Sequence, residues 1–169
     1  MGRVADSDAL VAFVTNGNDV RAYVCDGSSD DHLTISEWFK GTLAGDGLDL
    51  ASVSGAARLT AKVEATVAKG RVVRDDGIDL AFEATLDDSD AGFYLFKNFV
   101  GDQFYWAGWI VLPTGEQRGS LLLGTNATAN ATFDLRTITA RLPGVGTVRP
   151  GKLIAANVTQ GFGGCFPCP

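Results

Sequence analysis

The chain is short of histidine, of basic runs and of long apolar stretches, and each shortage argues against a class of function. Its 169 residues include 14 Lys and Arg against 20 Asp and Glu, a net charge of −6, and the basic residues never form a run. Nucleic acids and anionic membrane surfaces are bound through clustered Lys and Arg, so neither is an expected partner. No apolar stretch approaches the roughly 18 residues of a spanning helix, which argues against membrane insertion. The opening Met1-Gly2-Arg3-Val4-Ala5-Asp6-Ser7-Asp8 lacks the apolar core of a signal peptide, leaving a cytoplasmic protein or one whose leader was removed. The sole histidine, His32, stands in an acidic Ser-Ser-Asp-Asp-His loop, and neither G-x-S-x-G nor H-E-x-x-H occurs. Helical periodicity is largely missing, which argues against a helical bundle.

Glycine, by contrast, is abundant: 21 residues, scattered singly but for Gly163-Gly164, the mark of many tight turns. With 46% hydrophobic and 20% charged residues, the composition is that of an ordinary globular domain that buries a core without staples. The runs 9–15 and 20–26, rich in Val, Phe, Tyr and Ala, flank Asn16-Gly17-Asn18-Asp19, a hairpin signal. Residues 48–53 with 57–63, and 66–74 with 78–86, repeat the pattern around Ser54-Gly55-Ala56 and Asp75-Asp76-Gly77. The runs 92–100 and 103–112 flank Gly101-Asp102, and Pro113-Thr114-Gly115-Glu116 leads into 118–124. Nine strands are therefore readable by residue 124, while 34–40 reads as one helical turn. The fold class is all-β, an antiparallel meander forming a closed or nearly closed barrel, with a two-sheet sandwich as the alternative. Residues 1–124 make up this β-meander domain. Residues 125–169, broken by Pro143, Gly144, Gly146, Pro150 and Gly151, form a C-terminal extended arm that packs on the same or a neighbouring domain and adds one strand at 133–142.

Three cysteines are present, Cys25 and the terminal Cys165-Phe166-Pro167-Cys168. Gly161-Phe162-Gly163-Gly164 before the C-x-x-C is no helix N-terminus, which argues against a thioredoxin-type redox pair. Cys25, Cys165 and Cys168 are candidates for a disulfide in an oxidising compartment. A zinc site completed by His32 is the weaker signature, and no metal or cofactor is expected. Carboxylates that could serve as acid and base, Asp30, Asp31, Glu37, Asp87, Asp88 and Asp90, stand in turn-like sequence that more often makes a solvated loop. Asn126, Asn130 and Asn157 begin N-x-T sequons, which accept glycans only in a eukaryotic secretory pathway.

The aromatic run 104–112 is the most informative local feature. Period-two alternation puts Phe104, Trp106 and Ile110 on one face and Tyr105, Trp109 and Val111 on the other, so both faces are apolar. Something must cover the second face: the chain's own segments, a ligand or another protein. Trp38, Phe39, Tyr94, Tyr105, Trp106 and Trp109 are accordingly the candidates for a ligand or partner surface.

The stretches Val20-Arg21-Ala22-Tyr23-Val24-Cys25-Asp26-Gly27, Glu37-Trp38-Phe39 and Gly108-Trp109-Ile110-Val111-Leu112-Pro113 together resemble a β-rich domain of actinobacterial hypothetical proteins over residues 8–124. The resemblance implies an exported or membrane-anchored protein and supplies no catalytic residues. The expected function is a non-enzymatic protein-binding or self-assembly module at a bacterial surface, engaging a protein partner or further copies of itself. A calycin-like barrel holding a small apolar ligand against Trp38, Tyr94, Trp106 or Trp109 is the alternative, and an enzyme comes third.

Overall fold

Hydrophobic alternation and tight turns carry the first half of the chain into one antiparallel meander in the computed structural model, which describes residues 1–27, 33–87, 89–100, 102–123, 127–129, 132–134, 136–142, 145–154 and 158. Strands β1 (Gly2–Val4), β2 (Leu10–Asn16), β3 (Asp19–Cys25), β4 (Ser36–Ala44), β5 (Gly47–Ser52), β6 (Ala57–Glu64), β7 (Val67–Arg74) and β8 (Asp79–Thr85) are hydrogen-bonded in chain order. The barrel closes where β1 pairs with β8, through Gly2 with Ala84, Arg3 with Glu83 and Val4 with Phe82. Closure leaves no sheet edge open, which removes the usual site of edge-to-edge aggregation.

Turn chemistry sets the register. Three of the barrel's hairpins turn over two residues, and in each the first loop residue has a positive φ: Gly17, Gly45 and Ala65. Glycine adopts that region freely, whereas Ala65 does so against its own Cβ. Inside, alternate residues of every barrel strand form one core, including Val11, Val24, Phe39, Leu50, Leu59 and Val72. At roughly 25 cal/mol per Å² of apolar surface, each large side chain buried there contributes about 1.5–3 kcal/mol.

Eight more strands follow: β9 (Gly92–Val100), β10 (Gln103–Val111), β11 (Gln117–Leu123), β12 (Ala127–Ala129), β13 (Thr132–Asp134), β14 (Thr139–Leu142), β15 (Gly146–Val148) and β16 (Gly151–Lys152). They form a five-stranded sheet in the order β12-β11-β10-β9-β16 and a three-stranded sheet, β13-β14-β15. One face of the five-stranded sheet lies on the outer wall of the barrel, where Leu10, Ala12, Tyr23 and Trp38 meet Phe93, Trp106 and Ile110. The other face carries the three-stranded sheet, with Tyr94, Trp109 and Leu121 against Phe133, Ala140 and Leu142. The molecule is thus a barrel, a middle sheet and an outer sheet in succession.

The all-β meander and closed barrel are as the sequence predicts, with three differences. The barrel is complete at eight strands, so the strands from residue 92 onward form two sheets outside it. The helical turn expected at 34–40 is instead part of β4, because Trp38 and Phe39 serve two different cores on opposite sides of one strand. The strand expected at 133–142 is a hairpin, β13 and β14, pairing Phe133 with Ala140. No helix among the described residues is long and apolar enough to cross a membrane.

Candidate functional site

Strand alternation distributes the six aromatic candidates among three interiors. Phe39 points into the barrel. Trp38 and Trp106 lie between the barrel wall and the middle sheet. Tyr94, Tyr105 and Trp109 lie between the middle and outer sheets. All six are buried, from 1% exposure for Phe39, Tyr94 and Trp109 to 9% for Tyr105. The second apolar face of β10 is therefore covered by the chain itself, and its cover comes from the 125–169 segment through Phe133, Ala140 and Leu142.

Between barrel and middle sheet the aromatics form a continuous stack. Tyr23 and Trp38, paired across β3 and β4, have ring centroids 4.3 Å apart, and Phe93 stacks on Tyr23 at 5.5 Å with a 6° interplanar angle. Trp106 meets Trp38 edge-on at 5.3 Å. This closeness depends on Gly108: a Cβ there would stand 2.5 Å from Trp38 Cζ2. Beyond the outer face of β10, Phe133 packs on Tyr94 at 4.8 Å and Trp109 at 5.6 Å, and the Tyr94 hydroxyl donates to the Asp90 carbonyl at 2.6 Å.

A polar cluster sits at the rim of the stack. The Tyr23 hydroxyl lies 2.8 Å from Ser120 Oγ and 3.1 Å from Ser36 Oγ, and the two serine oxygens are 2.7 Å apart. Next to it Cys25 Sγ accepts from the Gly27 amide at 3.3 Å. The Gly119 amide also donates to the Gly27 carbonyl at 2.9 Å, joining β11 to the end of β3. The neighbouring Asp26 carboxylate accepts the Thr34 and Ile35 amides and the Thr34 hydroxyl, joining the exit of β3 to the entry of β4. These buried polar groups satisfy one another across the interface, which fixes how the middle sheet docks.

The cluster contains nucleophile types, and among the described residues no base is hydrogen-bonded to them. Burial pushes the Cys25 thiol up to about 11, far from the thiolate a nucleophile needs at neutral pH. Burial also raises Tyr23 well above its ordinary value, reinforced by the nearby Cys25. Both serines spend their hydroxyls on Tyr23 and on each other. Of the carboxylates proposed from sequence, Glu37 accepts from Ser54 Oγ at 2.7 Å. Asp87 caps Ser89, and those hydrogen bonds hold its carboxyl below the usual range. Asp90 is exposed, while Asp30, Asp31, Asp88 and His32 lie outside the described residues. No group of three or more His, Cys, Asp or Glu among the described residues is placed to hold a metal ion. Cys25 is a free, buried thiol, and Cys165 and Cys168, like the three sequon asparagines, lie outside the described residues.

Tyr23, Ser36 and Ser120 were not predicted as a unit. The available signal was Ser120 preceding three leucines, a lone hydroxyl in an apolar run, but its partners come from strands more than eighty residues away.

On the outside, the barrel wall over β5, β6 and β7 holds a shallow groove of about 650 Å³ lined by Asp49, Ala51, Arg58, Thr60, Val73 and Asp75, among others. Around it run cross-strand ion pairs: Arg58 with Asp49, Arg71 with Asp79 at 2.7 Å and Lys69 with Glu83 at 3.0 Å. Asp75 makes no ion pair with any described residue. Fold and site together define an eight-stranded meander barrel carrying two stacked sheets. No protein-family model matches the chain, and neither a curated protein nor a solved structure matches it.

Proposed function

We propose that the protein is a non-enzymatic module that binds protein, foremost further copies of itself, and serves at the bacterial surface or after export. The observation that carries this reading is the separation of charge along the stack of layers. Residues 1–123 hold ten Lys and Arg against nineteen Asp and Glu, while residues 124–169 hold four against one. The first stretch builds the barrel and three strands of the middle sheet. The second adds β12 and β16, with Lys152, to that sheet and builds the outer sheet, which carries Arg136, Arg141 and Arg149 against Asp134. The barrel end of the molecule is therefore acidic and the outer-sheet end basic. Complementary faces on one rigid body favour association and set its orientation.

The small-ligand reading has less support. The barrel interior is filled by its own side chains, and Trp38, Tyr94, Trp106 and Trp109 all lie outside it. The test of the assembly reading is light scattering of the full chain over a wide range of concentration. The expected result is a molar mass that rises with concentration; a single monomer mass throughout would overturn self-assembly. Export is tested separately by locating the protein in fractionated cells, and a purely cytoplasmic pool would overturn the surface assignment.

A further inference from the structure

We infer that copies of this chain associate head to tail, the basic outer sheet of one seating on the acid-rimmed groove over β5–β7 of the next. This rests on the self-assembly reading above and names its two faces. On the outer sheet, the β14 strand alternates buried Ala140 and Leu142, which face the middle sheet, with Arg141, which is exposed. Arg149 is exposed beyond β15, and neither arginine makes an ion pair with a described residue. Arg141 stands in register between Thr132 and Thr147, and Asp134, the acidic residue of this sheet, stands opposite Thr139 and accepts the Arg136 amide and the Thr137 hydroxyl.

The groove offers the complement. Its exposed Ala51 and the 44%-exposed Val73 suit the methylene stem of an arginine, and Asp75 at the rim offers a carboxylate with no ion pair among the described residues. Asp49, at the other rim, already holds Arg58 through two nitrogens, which leaves Asp75 as the open acceptor.

The placement of the two faces forbids pairing within one copy. The middle sheet docks on β2, β3 and, through Trp38, β4, whereas the groove lies over β5–β7, its centre on β6 three strands around the eight-stranded barrel from β3. The groove therefore faces away from the middle sheet, while the outer sheet lies beyond it. A basic face and an acidic groove at opposite ends can meet only between copies. Because the two surfaces differ, the contact is heterologous, and each added copy leaves one face of each kind available, so growth passes beyond a dimer.

Sedimentation velocity of the full chain tests this with charge reversals at exposed positions. Wild type is expected to form species larger than a dimer at about 50 mM salt and to associate about tenfold more weakly at about 500 mM, as screened charges should. Arg141→Glu and Asp75→Lys are each expected to weaken association about tenfold or more, with circular dichroism and thermal unfolding unchanged. Mixed in equal amounts, the two variants should associate again, because each supplies the face the other has lost. Arg149→Glu gives the same reading on a second basic position should Arg141→Glu fold poorly. Association of the wild type that neither reversal weakens, or reversals that weaken it without recovery on mixing, would overturn this pairing and leave self-assembly standing. A wild type that is monomeric throughout would overturn both.

Discussion

In the barrel, β6 alternates buried Ala57 and Leu59 with exposed Arg58 and Thr60, whereas in the middle sheet every residue of β10 from Tyr105 to Val111 is buried. The barrel strand has one dry side and one wet side, so its solvent face can carry ion pairs such as Arg71 with Asp79. The middle strand is dry on both sides, so its outward positions must be apolar and its polar groups must find partners within the protein. The difference teaches where mutation is costly: on one face of a barrel strand turned away from the middle sheet, and on both faces of a middle strand.

The largest expected effect is at the outer face of β10. Trp109→Ala removes an indole sealed between Tyr94, Phe133 and Gly119, and should lower stability to denaturant by about 3–5 kcal/mol. The matching truncation on the wet side of the barrel, Thr60→Ala, should stay within about 0.5 kcal/mol. Equal losses at the two positions would erase the contrast.

The dry interface should also make stability depend on alkaline pH. Cys25 has its folded-state pKa raised from 9.0 to about 11, so the folded protein holds its thiol proton over a range where the unfolded chain has released it. The contribution is fully present below pH about 9 and is lost as pH rises through about 11, a fall of about 2–3 kcal/mol, to which Tyr23 adds in the same direction at higher pH. Denaturant unfolding of wild type and Cys25→Ala across that range checks the sign. A wild-type curve that is flat from pH 8 to 11 would count against a sealed interface.

Next in size is Ser120→Ala, which leaves the Tyr23 hydroxyl with Ser36 alone and should cost about 1–2 kcal/mol. Measured against Tyr23→Phe and the double variant, the two losses should be clearly non-additive, since both remove the same bond between barrel and middle sheet. Simple additivity would mean that the cluster does not join the layers. The smallest effect belongs to the barrel turn at Ala65: Ala65→Gly relieves its positive φ of 51° at the cost of greater unfolded-state freedom, and should raise stability by less than about 1 kcal/mol.

Much of the barrel was legible because its rules are local. Gly17 stands at the turn the Asn16-Gly17 step predicts, and β5 to β8 follow the alternation of 48–86 closely. The strand β4 was misread because Trp38 and Phe39 are adjacent and both apolar, which in a one-sided strand would be a contradiction. It ceases to be one when a second core lies outside the barrel. Strands β1 and β12 to β16 span two to four residues each, too few for a period to show. The aromatic candidates were recognised as special for the right reason, two apolar faces on one strand, but exposure to a partner and burial by a distant segment leave the same pattern in sequence.

By itself, the sequence determined that the chain is all-β, where its hairpins turn and that β10 must be covered on both sides, because turn preference and alternation act between residues a few positions apart. Only the tertiary structure decided that the barrel closes after eight strands with β1 against β8, that Phe133 and Leu142 supply the cover for Trp109, and that Tyr23, Ser36 and Ser120 meet. Those choices depend on contacts between residues up to about a hundred positions apart, whose pairing is set by which closed arrangement buries the most apolar surface and satisfies the most polar groups at once.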